Sequence, residues 1–191
     1  MEKNICMILI LMMCIVAIVP VCAEDTPDTA NTVLVVYFSC TGTTKAVAEN
    51  IALVTGAEIF EITPEIPYTD ADLNYHDNQS RANQEMSDPE ARPTISNEVE
   101  AMDKYSTIYL GYPIWWGNAP RIISTFLEDY DMSGKTIITF CTSGSSSIIG
   151  SMDTIRALCP NSTVIDGKRL NGATTEQISQ WLSELAQEYD E

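Results

Sequence analysis

The sequence predicts an α/β fold, in which a doubly wound, five-stranded parallel sheet carries helices on both faces. Short apolar runs rich in β-branched residues alternate along the chain with segments of helical spacing. This alternation is typical of a parallel sheet that is covered on both sides. Distinctive turns follow the first, third and fourth runs, at the sheet edge where such folds bind ligands. The predicted strands are 33–38, 57–62, 106–111, 135–141 and 163–166.

The first strand leads through a short hydroxyl-rich turn into a helix. Apolar residues recur there at helical spacing from Val47 through Ile51 to Val54, and Gly56 ends the helix. The second strand alternates between apolar and polar residues, which predicts a half-exposed strand at the edge of the sheet.

Two later helices are indicated by their first residues and their apolar stripes. Pro120 suits a first helical turn, and the stripe that follows it is Ile123, Phe126, Leu127 and Tyr130. The last helix begins with a capping box between Thr174 and Gln177, and its stripe is Ile178, Trp181, Leu182 and Leu185.

The segment 64–103, between the second and third strands, is long for one crossover and contains four prolines. We expect two short helices in it, at 72–86 and 97–104, joined by an extended piece. Because a compact domain rarely keeps such a segment without a use, it is interpreted as a lid over a ligand or a partner surface. A variable surface crossover is the alternative. His76, the only histidine, lies in this segment and is assigned no role.

Residues 1–23 are predicted to be a secretory signal peptide, because a positive start precedes a continuous apolar run and a small residue, Ala23. An uncleaved anchor and lipid attachment at Cys22 are the alternatives, and membrane contact is expected only through them. Residues 24–31 then form an acidic tether, and 32–191 form one domain. We expect the protein to be exported, as a secreted, periplasmic or cell-surface protein.

The charge and cysteine content exclude several classes of function. A formal net charge of −17 argues against nucleic-acid binding. It favours either simple solubility or the steering of a basic redox partner. Outside the signal peptide the cysteines are Cys40, Cys141 and Cys159, with no C-x-x-C pair. This pattern is neither a disulfide framework nor a metal cluster, although a single disulfide stays open.

The turn after the first strand is predicted to bind phosphate. A strand, a tight turn and a helix start gather backbone N–H groups and the positive helix end around one point. The turn lacks the glycines of the dinucleotide fingerprint and the G-K-[S/T] of the P-loop. It offers hydroxyl groups rather than an arginine. The alternative to a phosphate site is a turn whose hydroxyl groups only cap the helix. The turn consists of Ser39, Cys40, Thr41, Gly42, Thr43 and Thr44.

The loop after the third strand, G-Y-P-I-W-W-G-N-A-P at 111–120, contains two adjacent tryptophans. A flat apolar heterocycle requires such an aromatic wall with a few polar groups beside it. Neighbouring residues of an extended chain face opposite ways, so one tryptophan is expected to pack inside. The Ser/Gly loop 142–150 lies at the same sheet end, and it either contacts the polar part of the ligand or is a flexible connection.

Together the three loops resemble those of the flavodoxins, across essentially all of the chain beyond the signal peptide. The P-I-W-W-G loop resembles a short-chain flavodoxin branch, and it is also similar to the P-x-x-[aromatic]-G-N loop of flavodoxin-fold quinone reductases. The resemblance implies the strand order 2-1-3-4-5 and the cofactor flavin mononucleotide (FMN), with its phosphate on residues 39–44. The ring contacts are then expected from Ile114, Trp115, Trp116, Gly117 and Asn118. Pro113 is a further expected cofactor-binding residue, and Thr142, Ser143 and Gly144 are expected at the polar edge or the ribityl chain of the flavin.

The chain departs from typical flavodoxins in lacking a tyrosine in the loop after the fourth strand. The resemblance implies an FMN electron carrier or an FMN-dependent reductase, with a redox protein or a small electron acceptor as partner. The acidic charge and the lack of a cation beside the expected ring site indicate a low potential. The alternatives are an NAD(P)H-quinone reductase-like enzyme and a flavodoxin-fold binding module without flavin. A serine hydrolase is disfavoured, because no G-x-S-x-G motif is present and no histidine follows the serine-rich loop.

Overall fold

The computed structural model describes residues 32–189, so the predicted signal peptide (1–23) and acidic tether (24–31) lie outside the described residues. Strands and helices alternate along the described chain as the sequence predicts. The strands are β1 (Val33–Tyr37), β2 (Glu58–Glu61), β3 (Thr107–Pro113), β4 (Thr136–Thr142) and β5 (Thr163–Arg169). The helices are α1 (Thr43–Thr55), α2 (Arg81–Ser87), α3 (Arg121–Asp129), α4 (Ile149–Leu158) and α5 (Thr175–Tyr189).

The five strands form one parallel sheet in the order β2-β1-β3-β4-β5. This confirms both the predicted fold class and the strand order. The chain leaves β1 toward one edge of the sheet, through β2, and returns to build the other side from β3 onward. The direction of winding therefore changes between β1 and β3, and their carboxyl ends open a crevice there.

The sheet separates two apolar clusters, and the alternation within β1 shows why. Leu34 and Val36 are buried on the side covered by α3 and α4. Val35 and Tyr37 are buried on the side covered by α1 and α5. Burying one large apolar side chain contributes about 1.5–3 kcal/mol, so the two-sided burial of the central strands fixes the sheet between its helical layers.

Two predicted helix ends are confirmed in atomic detail. Gly56 adopts a φ of 70°, and its N–H donates to the carbonyl of Ala52 at the end of α1, as expected for a left-handed C-cap. At the start of α5 the Thr174 N–H donates to Gln177 Oε1, and the Gln177 N–H donates to Thr174 Oγ1. The reciprocal pair is the capping box predicted from the sequence.

Two predicted helices of the β2–β3 crossover are shorter than expected. The helix expected at 72–86 is present only as α2, and the helix expected at 97–104 is a single 3₁₀ turn, Met102–Lys104. Before α2, Asn74 Oδ1 accepts from the His76 N–H, and Asp77 Oδ1 accepts from the Gln79 N–H. Such local side-chain acceptors replace the helical pattern by successive turns.

Helix α4 was not predicted from the sequence. Its first residues follow a serine-rich loop, and its buried stripe contains a serine, Ser151, beside Met152 and Ile155. Serine and glycine are weak helix formers, so the local sequence gave little indication of a helix.

The cysteines of the described region are all free, with Cys40 exposed and Cys141 and Cys159 buried. The two buried thiols belong to the cluster under α3 and α4. Within residues 32–189 no group of His, Cys, Asp or Glu side chains could hold a metal ion. No helix of that range has the length and apolarity needed to cross a membrane.

Candidate functional site

The loop after β1 presents hydroxyl and amide groups where the predicted anion site lies, at the start of α1. Gly42 has a φ of 81° immediately before α1, and its N–H donates to Ser39 Oγ at 3.1 Å. The exposed hydroxyl groups of Thr41 and Thr43 lie 3.2 Å apart. The first N–H groups of α1 have no acceptor within the helix, and they add the positive end of the helix dipole.

A buried hydroxyl pair joins the start of α1 to β4, which is separated from β1 by β3 in the sheet. Thr44 Oγ1 lies 2.8 Å from Thr142 Oγ1, and both side chains are buried. One hydroxyl donates to the other, so neither buried oxygen is left without a hydrogen-bond partner. The pair fixes the start of α1 against β4 and leaves Thr41 and Thr43 as the exposed hydroxyls of the loop.

The loop after β3 closes in a tight two-residue turn. The Trp115 N–H donates to the Asn118 carbonyl, and the Asn118 N–H donates to the Trp115 carbonyl, both at 2.9 Å. The central residues Trp116 and Gly117 have φ values of 48° and 79°, as in a type I′ turn. Glycine adopts this conformation freely, but a tryptophan there stores about 1–3 kcal/mol of strain, which is typical of functional sites.

Helix α4 supports this turn through a close contact of backbone. A Cβ atom on Gly150 would lie 2.2 Å from the carbonyl oxygen of Gly117. Only glycine therefore fits at this position of α4. The contact couples the start of a helix that follows β4 to the tryptophan loop that follows β3.

Trp115 is packed within an aromatic cluster, as predicted for one of the two tryptophans. Its ring meets the edges of Phe38 and Tyr68 at centroid distances of 5.7 and 5.3 Å. The Arg81 guanidinium lies 3.9 Å from the Tyr68 ring centroid. Both the Tyr68 hydroxyl and Arg81 Nε donate to the carboxylate of Glu85 at 2.6 Å. The β2–β3 crossover thus packs against Trp115 through Tyr68, which Arg81 and Glu85 hold in place.

Two variants of Tyr68 test separately the contributions of its ring and of its hydroxyl to the aromatic cluster. In Tyr68→Phe we expect the free energy of unfolding to fall by about 1–2 kcal/mol, because one hydrogen bond to a carboxylate is lost. FMN affinity, measured by fluorescence titration, should stay within about twofold. In Tyr68→Ala the support of Trp115 is lost as well, and affinity should fall about tenfold or more. Equal affinities of the two variants would show that Tyr68 does not position Trp115.

The loops after β1 and β3 enclose one cleft of about 400 Å³ together with part of the β2–β3 crossover. Trp116 remains 48% exposed at its margin. No residue that lines the cleft in the described chain carries a charged side chain. The lining residues that the sequence predicts are Ser39, Cys40, Thr41, Thr44, Pro113, Ile114, Trp115 and Trp116, and those that it misses are Leu73, Tyr75 and Ala82.

A family model described as Flavodoxin matches residues 32–185, most of the chain. The chain belongs to the flavodoxin family. Among curated proteins, none matches it.

Solved structures agree with this assignment. A candidate flavoprotein from Bacteroides eggerthii is 41% identical, covers 81% of this flavodoxin and 98% of its own chain, and gives a TM-score of 0.78. A candidate flavoprotein from Bacteroides uniformis is 44% identical, with coverages of 80% and 98% and a TM-score of 0.77. A flavoprotein from Lactobacillus acidophilus, solved in complex with FMN, is 22% identical, with coverages of 80% and 99% and a TM-score of 0.62. At that identity the likeness shows the fold alone.

Several predicted site residues of this flavodoxin shape the loops without lining the cleft. Gly42 and Thr43 complete the first loop, and Gly117 and Asn118 complete the tryptophan turn. Asn118 uses its side-chain oxygen to accept from the Ala119 N–H at 2.8 Å. Ligand contacts from these residues stay predictions.

The predicted polar loop after β4 is engaged mainly with β5 and the residues that follow it. Thr142 is buried, the Ser143 N–H donates to Asn171 Oδ1 at 2.9 Å, and Arg169 Nη1 donates to the carbonyls of Ser143 and Gly144. None of the three predicted residues lines the cleft. The arginine comes from the distant strand β5, so the sequence of the loop gave no indication of this arrangement.

Charge around the cleft is nearly balanced by local pairing. Lys45, at the start of α1, lies 3.5 Å from Glu61, and Arg81 is paired with Glu85. Although Cys40 is exposed at the rim, desolvation by the surrounding chain raises the pKa of its thiol to about 12, against the opposing effect of Arg81. The thiol is therefore neutral at pH 7 and adds no negative charge beside the anion site.

Proposed function

We propose that this flavodoxin binds FMN and acts outside the cytoplasm as a low-potential electron carrier. One observation supports the binding of FMN most strongly: a cation-free loop of hydroxyl and amide donors opens directly into a neutral, aromatic-walled cleft of about 400 Å³. A flat ring with a phosphate tail needs these two environments side by side. The family membership and the FMN complex of the Lactobacillus acidophilus flavoprotein agree with it.

The donor set is suited to a phosphate dianion. Thr41, Thr43 and the first N–H groups of α1 supply hydrogen-bond donors around one point. About four to six such bonds to a charged group, at about 1.5–3 kcal/mol each, exceed the requirement of micromolar to nanomolar binding, about −8 to −12 kcal/mol. The surplus is consumed by the ordering of ligand and loops.

In this proposal FMN supplies the redox chemistry when bound, and the protein supplies binding, orientation and electrostatics. Trp115 and Trp116 provide an apolar wall that keeps water from part of the ring system. Ile114 and Pro113 extend the wall toward the end of β3. No residue of this flavodoxin is assigned a covalent or proton-transfer role.

The cofactor proposal is tested by the absorbance spectrum of purified residues 24–191, with FMN added in increments. We expect a flavin spectrum, or saturable binding of added FMN with quenched flavin fluorescence. A colourless protein that leaves FMN fluorescence unchanged overturns the proposal and favours the binding-module alternative. Rapid turnover of NAD(P)H with a quinone by the loaded protein favours the reductase-like alternative over the carrier.

The carrier proposal also predicts a midpoint potential below that of free FMN. A net charge of −17 and the pairing of Arg81 with Glu85 disfavour the addition of electrons to the bound cofactor. Spectroelectrochemical titration measures this potential. Raising the ionic strength to about 1 M shortens the screening length to about 3 Å, so the potential should move toward that of free FMN. A potential well above that of free FMN contradicts the carrier proposal.

Export of this flavodoxin is likewise proposed, from the signal-like sequence of residues 1–23. Fractionation of producing cells and N-terminal sequencing test it. Cleavage after Ala23 and recovery outside the cytoplasm are expected. An intact N-terminus on a cytoplasmic protein contradicts it.

A further inference from the structure

One aromatic residue of the cleft belongs to none of the three loops that resemble flavodoxin loops. Tyr75 lies in the β2–β3 crossover, lines the cleft and is 66% exposed. Its neighbours in the lining from the same crossover are Leu73 and the buried Ala82. A large aromatic side chain exposed on the wall of a neutral apolar cleft is more typical of a ligand contact than of a solvated surface.

The backbone around Tyr75 is held by side chains rather than left loose. Asn83 Nδ2 donates to the carbonyls of Tyr75 and Asp77. Asp72 accepts from the N–H and hydroxyl of Thr69, and the Asp72 carbonyl accepts from the Ala82 N–H. These clamps tie the turns before α2 to α2 itself, so the position of Tyr75 is preset before any ligand binds.

The Tyr75 side chain also has a partner outside the cleft lining. The His76 ring lies 4.1 Å from the Tyr75 ring, centroid to centroid, with an interplanar angle of 38°. This contact limits the orientations of the tyrosine ring. Tyr75 lines the same cleft as Trp115 and Trp116.

We propose that Tyr75 is a second aromatic wall for the flat ring system of the cofactor, supplied by the β2–β3 crossover. The inference rests on the proposed function, because it takes FMN as the ligand. The crossover then belongs to the cofactor site, in place of the tyrosine that the loop after β4 lacks. Stacking against a flat heterocycle gives about a tenfold to hundredfold gain in affinity.

The test compares Tyr75→Ala, Tyr75→Phe and a control, Tyr189→Ala, which removes a similarly exposed tyrosine at the end of α5. Dissociation constants of FMN and of riboflavin are measured by fluorescence titration, and folding is checked by thermal unfolding. We expect Tyr75→Ala to weaken FMN and riboflavin by the same factor, at least about tenfold. Bound FMN should also become more fluorescent in Tyr75→Ala. Tyr75→Phe and Tyr189→Ala should stay within about twofold of the wild type.

The outcomes separate this inference from the cofactor proposal. If the wild type binds FMN and Tyr75→Ala binds it equally well, the role of Tyr75 is refuted while FMN binding stands. If Tyr75→Ala weakens FMN but not riboflavin, the tyrosine acts on the phosphate end, and the wall is likewise refuted. A wild type that binds neither ligand refutes the cofactor proposal itself.

Discussion

Replacement of both Thr41 and Thr43 by valine is expected to lower FMN affinity by at least about 100-fold. The two exposed hydroxyls lie 3.2 Å apart at the start of α1 and can donate to the same anion. Each hydrogen bond to a charged group contributes about 1.5–3 kcal/mol, and about 2.8 kcal/mol is a factor of 100 in affinity. Fluorescence titration of FMN measures the effect.

The same variant should fold normally, because both side chains are exposed and valine keeps their shape. The matched control is the double variant Thr94→Val with Thr163→Val, which alters two exposed threonines outside the cleft lining. Riboflavin, which has no phosphate, should bind the wild type and the Thr41/Thr43 variant equally. Unchanged FMN affinity in that variant would refute the hydroxyl-based phosphate site.

The phosphate loop and the tryptophan loop could be located from sequence because their information is local. A β-branched run, a glycine and a helical stripe occur within about twenty residues around Gly42. Because parallel strands end at the same edge of a sheet, pairing of β1 with β3 places their two loops side by side. The prediction that one of the two tryptophans packs inside is confirmed by Trp115, while Trp116 is exposed.

The position of Tyr75 in the β2–β3 crossover could not be predicted from the sequence, because the conformation of the crossover depends on contacts outside the local pattern. A helix was expected from residue 72, but side-chain acceptors such as Asn74 and Asp77 replace it by turns. Those turns carry Tyr75 into the cleft. An aromatic residue within an otherwise polar, turn-rich stretch was the one available indication of a ligand contact.

Long-range contacts likewise determine the conformation of the loop after β4. Arg169 and Asn171 engage Ser143 and Gly144 from across the sheet edge. Thr142 pairs with Thr44, 98 residues away in sequence. The contacts of Arg169 and Asn171 follow from the register of β4 with β5, and the threonine pair follows from the placement of α1 beside β4. Only the assembled sheet defines both.

Replacement of Gly150 by alanine is expected to damage stability and the cofactor site together. Its Cβ would lie 2.2 Å from the Gly117 carbonyl oxygen, so α4 or the tryptophan turn must move. Overpacking of this kind costs about 1–3 kcal/mol, whereas the better helix propensity of alanine returns only about 1 kcal/mol. Urea unfolding should show the net loss, and FMN affinity should fall at least about tenfold because Trp116 shifts with the turn.

Gly144→Ala is the matched control, because a Cβ at Gly144 meets nothing within 4 Å and the backbone there is not left-handed. It should leave stability within about 0.5 kcal/mol of the wild type. A Gly150→Ala protein that is destabilised but keeps full affinity would show that α4 supports the fold without positioning the turn. Full stability of Gly150→Ala would refute the close contact itself. The comparison therefore tests whether the strained conformation at Trp116 is maintained from outside its own loop, by a helix that the local sequence did not indicate.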